Sequence, residues 1–185
     1  MTVIFALFEH PKGVATPDGP YVVYDLERDV ASLGAAEVAG PALVWTLGDD
    51  REPALPEGVA ALSVDVDLGP EEWLARCDRV DFPPGGVAHR HVHPGPGIRR
   101  LLFGELTIES PDGVHTYGAG DAWFEGSEHP VLATASAAED TAFVRVLLLP
   151  REWEGKRTIR YLDPADEAKP KLQRATVYLE QAIAP

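Results

Sequence analysis

The 185-residue sequence holds a single cysteine, Cys77, and a single methionine. One thiol excludes an internal disulfide, and the expected compartment is the reducing cytoplasm. Cys77 itself reads as a small buried hydrophobe. No apolar run approaches the ~18 residues that a membrane span needs. The opening MTVIFALFEHPKG has a short apolar stretch but no basic segment before it and no small-residue cleavage site after it. It reads as a first strand, not a signal peptide. Positive charge is scarce: 16 Lys and Arg stand against 30 Asp and Glu, a formal charge of −14. Such a chain repels nucleic acid and anionic membranes, and its basic residues form no stripe interleaved with aromatics. The Gly-rich stretches lack the Lys-Ser/Thr of a nucleotide-binding loop, and no Ser/His/Asp nucleophile arrangement is visible.

Glycine and proline, 17 of each, are plentiful and clustered. Turn signals fall at Pro17-Asp18-Gly19, Gly48-Asp49-Asp50, Pro83 to Gly86, Pro94 to Gly97, Pro111-Asp112-Gly113 and Gly118 to Asp121. Short apolar or alternating runs at intervals of about 8–12 residues predict an all-β sandwich or barrel. The expected strands are Val3–Phe8, Tyr21–Tyr24, Leu43–Leu47, Ala60–Val66, Trp73–Asp81, Val87–His93, Arg99–Glu109, His115–Tyr117, Asp121–Phe124, Val131–Thr134, Thr141–Leu149 and Thr176–Leu179. Little helix is expected: a weak pattern over Asp25–Ala39 and a short turn over Asp163–Gln173. Strands are densest over residues 70–150. The barrel is placed there, with strands of 1–69 and the segment 151–185 packed on it as one domain of residues 1–185.

Three of the six histidines fall in PGGVAHRHVHPGPGI, at His89, His91 and His93. A strand sends every second side chain to one face, so all three are expected to point the same way. Residues i and i+2 lie roughly 6.6 Å apart along a strand, close enough for two imidazoles to share an ion, whereas i and i+4 lie roughly 13 Å apart. The pair that converges is therefore His89/His91 or His91/His93.

Gly85-x5-His91-x-His93, followed by Gly104-Glu105, resembles the first motif of the cupin superfamily. Gly120-Asp121-Ala-Trp-Phe-Glu-Gly126-Ser-Glu-His129 resembles the second. The resemblance covers residues 80–150. It implies a jelly-roll β-barrel holding a divalent transition metal on His91, His93 and His129, with His89 as a further candidate ligand. The usual glutamate of the first motif is missing: Pro96, Gly97 and Ile98 occupy its place. Phe124 and Ala133 stand where the second motif has proline and asparagine, and the turn before His129 is about two residues short. Three neutral imidazoles would leave the metal near +2, which favours an anionic, chelating substrate. Fe(II) is the expected metal, and Zn, Ni or Mn would suit the same ligands.

Other residues complete the expected site. If Gly97 faces inward, Arg99 does too and Arg100 faces out; an interior arginine calls for an anion, such as a substrate carboxylate. Leu101 and Phe103 would share Arg99's face. Of Trp123 and Phe124 only one can point inward. Glu125 and Glu128 are the candidates to replace the missing carboxylate. The leading functional expectation is a metal-dependent dioxygenase-like oxidoreductase. The alternatives are a redox-neutral cupin (isomerase, cyclase or lyase) and a non-catalytic small-molecule-binding protein. Unpaired strand edges predict a homodimer.

Overall fold

The computed structural model describes residues 2–48 and 58–184, so Asp49 and Asp50 of the second turn signal lie outside the described residues. The first strands are β1 (Thr2–His10), β2 (Val14–Thr16), β3 (Tyr21–Asp25), β4 (Val30–Leu33), β5 (Ala36–Val38), β6 (Ala42–Gly48) and β7 (Val59–Asp67). Eight more follow: β8 (Trp73–Phe82), β9 (Val87–Val92), β10 (Gly97–Phe103), β11 (Glu105–Ser110), β12 (Gly113–Gly118), β13 (Ala122–Glu125), β14 (Val131–Ala135) and β15 (Thr141–Pro150). β16 (Arg160–Tyr161) and β17 (Arg174–Ile183) close the chain, with two short 3-10 turns between β15 and β17. The chain is all-β and its strand pairs are antiparallel. No helix of the described residues is long and apolar enough to cross a membrane.

β8 to β15 form two facing sheets. One runs β13-β10-β15-β8 and is extended by β17; the other runs β12-β11-β14-β9 and is extended by β16. First and last of the eight pair in one sheet, second and seventh in the other, which is the jelly-roll order of two Greek keys. A third sheet, β4-β3-β6-β1-β7, comes from the N-terminal strands. It packs Phe5, Leu7, Trp45 and Leu47 onto Cys77, Ile98, Val144, Val146 and Leu148 of the first sheet.

That layering explains the burial of β15. In TAFVRVLLLP every residue but the last is buried. Val144, Val146 and Leu148 meet the N-terminal sheet, and the alternate residues Phe143 and Arg145 face the jelly-roll interior. A middle sheet has no solvent face, so strict alternation between apolar and polar is lost.

Three expectations are corrected. Asp25–Ala39 is not helical but contains β4 and β5. The Asp25 carboxylate accepts the N–H groups of Glu27 and Arg28, and Asp29 adopts φ +57°, so the chain turns back to pair β4 with β3. Arg99–Glu109 is two strands. Gly104, at φ +78°, breaks the run where a side chain would meet Thr141 Oγ1 at 2.4 Å. The pairing of β10 with β15 also slips between Leu101 and Phe103, so Leu101 is buried while Phe103 turns outward, 41% exposed.

Candidate active site

The two jelly-roll sheets enclose a cavity of about 590 Å³. β8 contributes Arg76, Asp78, Val80 and Phe82; β15 contributes Phe143 and Arg145; β10 and β13 contribute Arg99, Trp123 and Glu125. From the opposite sheet come Ala88, His91, Ile108, Val131 and Ala133, with His93 just beyond β9. The segment between β15 and β17 covers one side through Lys156, Thr158 and Tyr161. Six of the chain's 16 Lys and Arg line this cavity, against four of its 30 Asp and Glu. The local field is therefore the reverse of the net charge.

The cavity has a charged half. Arg145 donates to both carboxylate oxygens of Asp78, Nε to Oδ1 at 2.7 Å and Nη2 to Oδ2 at 3.3 Å. Its third nitrogen, Nη1, lies 3.0 Å from His93 Nε2. A guanidinium can only donate, so His93 Nε2 must accept and the ring proton sits on Nδ1. That proton goes to the Thr158 carbonyl at 3.0 Å. Arg76 is likewise held at all three nitrogens, by Glu180 and by the carbonyls of Trp153 and Lys156.

Arg99 differs. Its Nη1 donates to the Gly97 carbonyl at 2.6 Å. Its Nη2 lies 2.6 Å from Glu125 Oε2, but among the described residues the buried nitrogen aims a hydrogen bond at no acceptor. Burial pushes the Arg99 pKa down to about 10, so the group stays charged at neutral pH. Burial would raise the pKa of Glu125, but Arg99 and the Trp123 Nε1–H, 2.9 Å from Oε1, hold it below the ordinary value. Glu125 is thus an anion.

His91 Nδ1 lies 2.7 Å from the His89 carbonyl, which places the proton there and leaves Nε2 as a lone pair. Burial pushes the pKa of His91 down to about 4 and that of His93 well below the ordinary range. Both rings are neutral at pH 7. Their centres are 5.0 Å apart at 84°.

The structure brings together some of the expected residues and separates others. Arg99 faces inward and Arg100 outward, where it pairs with Glu9. Trp123 lines the cavity while Phe124 packs against the N-terminal core. His91 and His93 share the cavity, but His89 does not. Val131 pairs with His91 and Ala133 with Ala88, so two steps on β14 match three on β9. This bulge reverses the alternation between Ala88 and His91, and His89 turns away. His129 also lies elsewhere. It sits 3.4 Å from Asp112 on the outside, and Val131, two residues on, holds the cavity position opposite His91. The two-residue shortfall in the turn puts the histidine before the strand instead of on it. Glu128, the other candidate carboxylate, pairs outside with Arg160. Asp78 and Arg145 were not singled out in the sequence; a charged pair inside two apolar strands is the signal that marks them.

The expected Fe, Zn, Ni or Mn centre does not fit this donor set. Among the described residues no group of three or more His, Cys, Asp or Glu side chains is arranged to hold a metal ion. His93 Nε2 is engaged by Arg145, Glu125 is engaged by Arg99 and Trp123, and two guanidinium cations stand among the donors. The missing glutamate has a steric cause. A Cβ at Gly97 would lie 2.5 Å from Leu147 Cδ2 and 2.9 Å from both Val146 O and Arg99 Nη1. Gly97→Glu is expected to lower the melting temperature sharply and to build no new ligand; a variant as stable as wild type in thermal unfolding contradicts this packing.

No family model and no curated protein matches the chain. Among solved structures, the chain is similar to the polyketide cyclase RemF from Streptomyces resistomycificus, with a TM-score of 0.40 and 18% identity over 51% of this chain. It spans 63% of the length of RemF. It is also similar to AerE from Microcystis aeruginosa, with a TM-score of 0.42 and 14% identity, over 80% of this chain and 78% of that one.

Proposed function

We propose that the chain is a small-molecule enzyme catalysing redox-neutral proton transfer, with His91 as the base and Arg99 as the group that receives developing negative charge on oxygen. The observation that carries this reading is the pairing, in one cavity, of a neutral imidazole with a lone pair on Nε2 and a buried guanidinium whose Nη2 is ion-paired with Glu125 but makes no hydrogen bond among the described residues. A base must be unprotonated at working pH and within reach of a carbon acid, and a lowered pKa secures the first condition. Donors that are already oriented stabilise an enolate oxygen without having to reorganise. The fitting reaction class is enolisation next to a carbonyl, as used in isomerisation, cyclisation or lyase chemistry.

Glu125 modifies the expected substrate. The counter-ion of Arg99 comes from the chain itself, so the arginine does not require a substrate carboxylate. A carbonyl compound that becomes anionic during the reaction satisfies the same site. The test is exchange of the acidic C2 protons of methyl acetoacetate in D2O, followed by NMR at neutral pH. Exchange faster with the protein than in buffer alone is expected; equal rates overturn the reading.

A further inference from the structure

The other half of the cavity is lined by Val80, Phe82, Ile108, Trp123, Ala133 and Phe143. These belong to one apolar cluster, spanning both sheets. The single side-chain N–H in this group is Trp123 Nε1, and it is spent on Glu125. The indole is also fixed in place, with Tyr117 stacked on it at 4.7 Å and 18°, and Phe143 edge-on at 5.4 Å. The backbone groups of the strands are committed to the sheet ladders. A hydroxyl or amide placed among Val80, Phe82, Ile108 and Ala133, away from the Arg145 guanidinium that stands 5.8 Å over the Phe143 ring, would lose its water and meet no side-chain partner in that group, which costs affinity. Apolar matter placed here gains affinity with every buried carbon.

We infer that the substrate is amphipathic: an enolisable carbonyl head at His91 and Arg99, joined to an alkyl or aryl body without polar substituents that fills the Val80–Ile108–Phe143 half. The head-group placement rests on the proton-transfer reading above; the body is read from the apolar half alone. The division of the cavity argues against sugars, nucleotides and polar amino acids, whose hydrogen-bonding groups run the length of the molecule.

The probes are alkyl acetoacetates from methyl to hexyl, with affinity read from tryptophan fluorescence and C2 exchange read by NMR. Affinity is expected to rise about fourfold for each added methylene until the half is filled. A terminal hydroxyl on the hexyl chain is expected to cancel at least tenfold of that gain. Ala133→Leu, which puts bulk into the apolar half, is expected to weaken hexyl acetoacetate about tenfold; should that variant not fold, the wild-type series alone decides. A flat series, or a hydroxyl tolerated without loss, overturns the inference while leaving exchange of the methyl ester as the measure of the proton-transfer reading. A steep series without any exchange has the opposite meaning: the apolar body stands and the base assignment falls.

Discussion

Asp78→Ala is expected to cost about 3–5 kcal/mol of folding stability, the range for breaking one side of a buried ion pair. The side chains of Asp78 and Arg145 are 2% and 8% exposed, and the carboxylate takes two of the guanidinium's donors. Without it, a buried cation keeps its bond to His93 and its place over the Phe143 ring but has no counter-ion of its own. For a chain of this size the loss corresponds to a drop in Tm of about 6–20 °C. Replacing both partners with apolar residues of similar volume, Asp78→Leu with Arg145→Met, is expected to cost much less, because no charge is left unpaired. An exposed pair supplies the control. Arg157 and Glu167 are each half exposed, and Arg157→Gln is expected to change stability by no more than about 1 kcal/mol. Thermal unfolding of the four proteins checks the ranking. If Asp78→Ala melts with the Arg157→Gln control, Asp78 and Arg145 do not form the buried pair described.

How much of this was legible beforehand depends on the range of the interaction. Spacing of turns and short apolar runs located the strands of the jelly roll, because those signals are local. Alternation from Gly97 placed Arg99 inside and Arg100 outside, because β10 is regular over those residues. The same rule misplaced His89, because the bulge in β9 changes the parity without marking the sequence. Phe103 was misplaced for the same reason. His129 was assigned by motif, and a turn shorter by two residues moved it off the strand that would have carried it inward. Least legible were the partners. That Arg99 meets Glu125, or Arg145 meets Asp78, follows from strand order across the sheets, which sequence spacing alone does not encode.

The charged half also explains why so many cations are tolerated inside an apolar barrel. Arg76, Arg99 and Arg145 each have a carboxylate: Glu180, Glu125 and Asp78. In two of the three, every guanidinium nitrogen has a partner among those carboxylates, carbonyls and His93. These two are scaffold: Arg145 fixes the tautomer of His93, whose Nδ1–H then ties the covering segment at Thr158 to the jelly roll. Of the three, Arg99 is the one with a buried nitrogen, Nη2, that makes no hydrogen bond among the described residues beyond its ion pair with Glu125, and it stands in the same cavity as His91. A buried nitrogen left without a hydrogen bond, more than charge itself, distinguishes Arg99 from its neighbours.

His91→Ala is expected to slow the exchange of methyl acetoacetate by about 10²–10⁴-fold, the usual contribution of a positioned general base. The pH profile separates this role from a structural one. Burial lowers the pKa of His91 to about 4, so the neutral, basic form persists through the physiological range. The wild-type rate, corrected for buffer, is expected to be level from pH 8 to about 5 and to fall as pH approaches 4. An ordinary histidine would begin to lose its basic form near pH 6.5. Stability is linked to the same shift. The folded-state pKa lies below the unfolded value, so the unfolded chain binds the proton more readily between about pH 6.5 and 4. The stabilisation is fully present above 6.5 and is lost as pH falls through that window, by about 3 kcal/mol for a shift of this size. Circular dichroism at each pH therefore accompanies the rates, so that loss of fold is not read as loss of base. A wild-type rate that titrates near pH 6.5 while the protein remains folded, or a folded His91→Ala variant with undiminished exchange, removes His91 from the role of base.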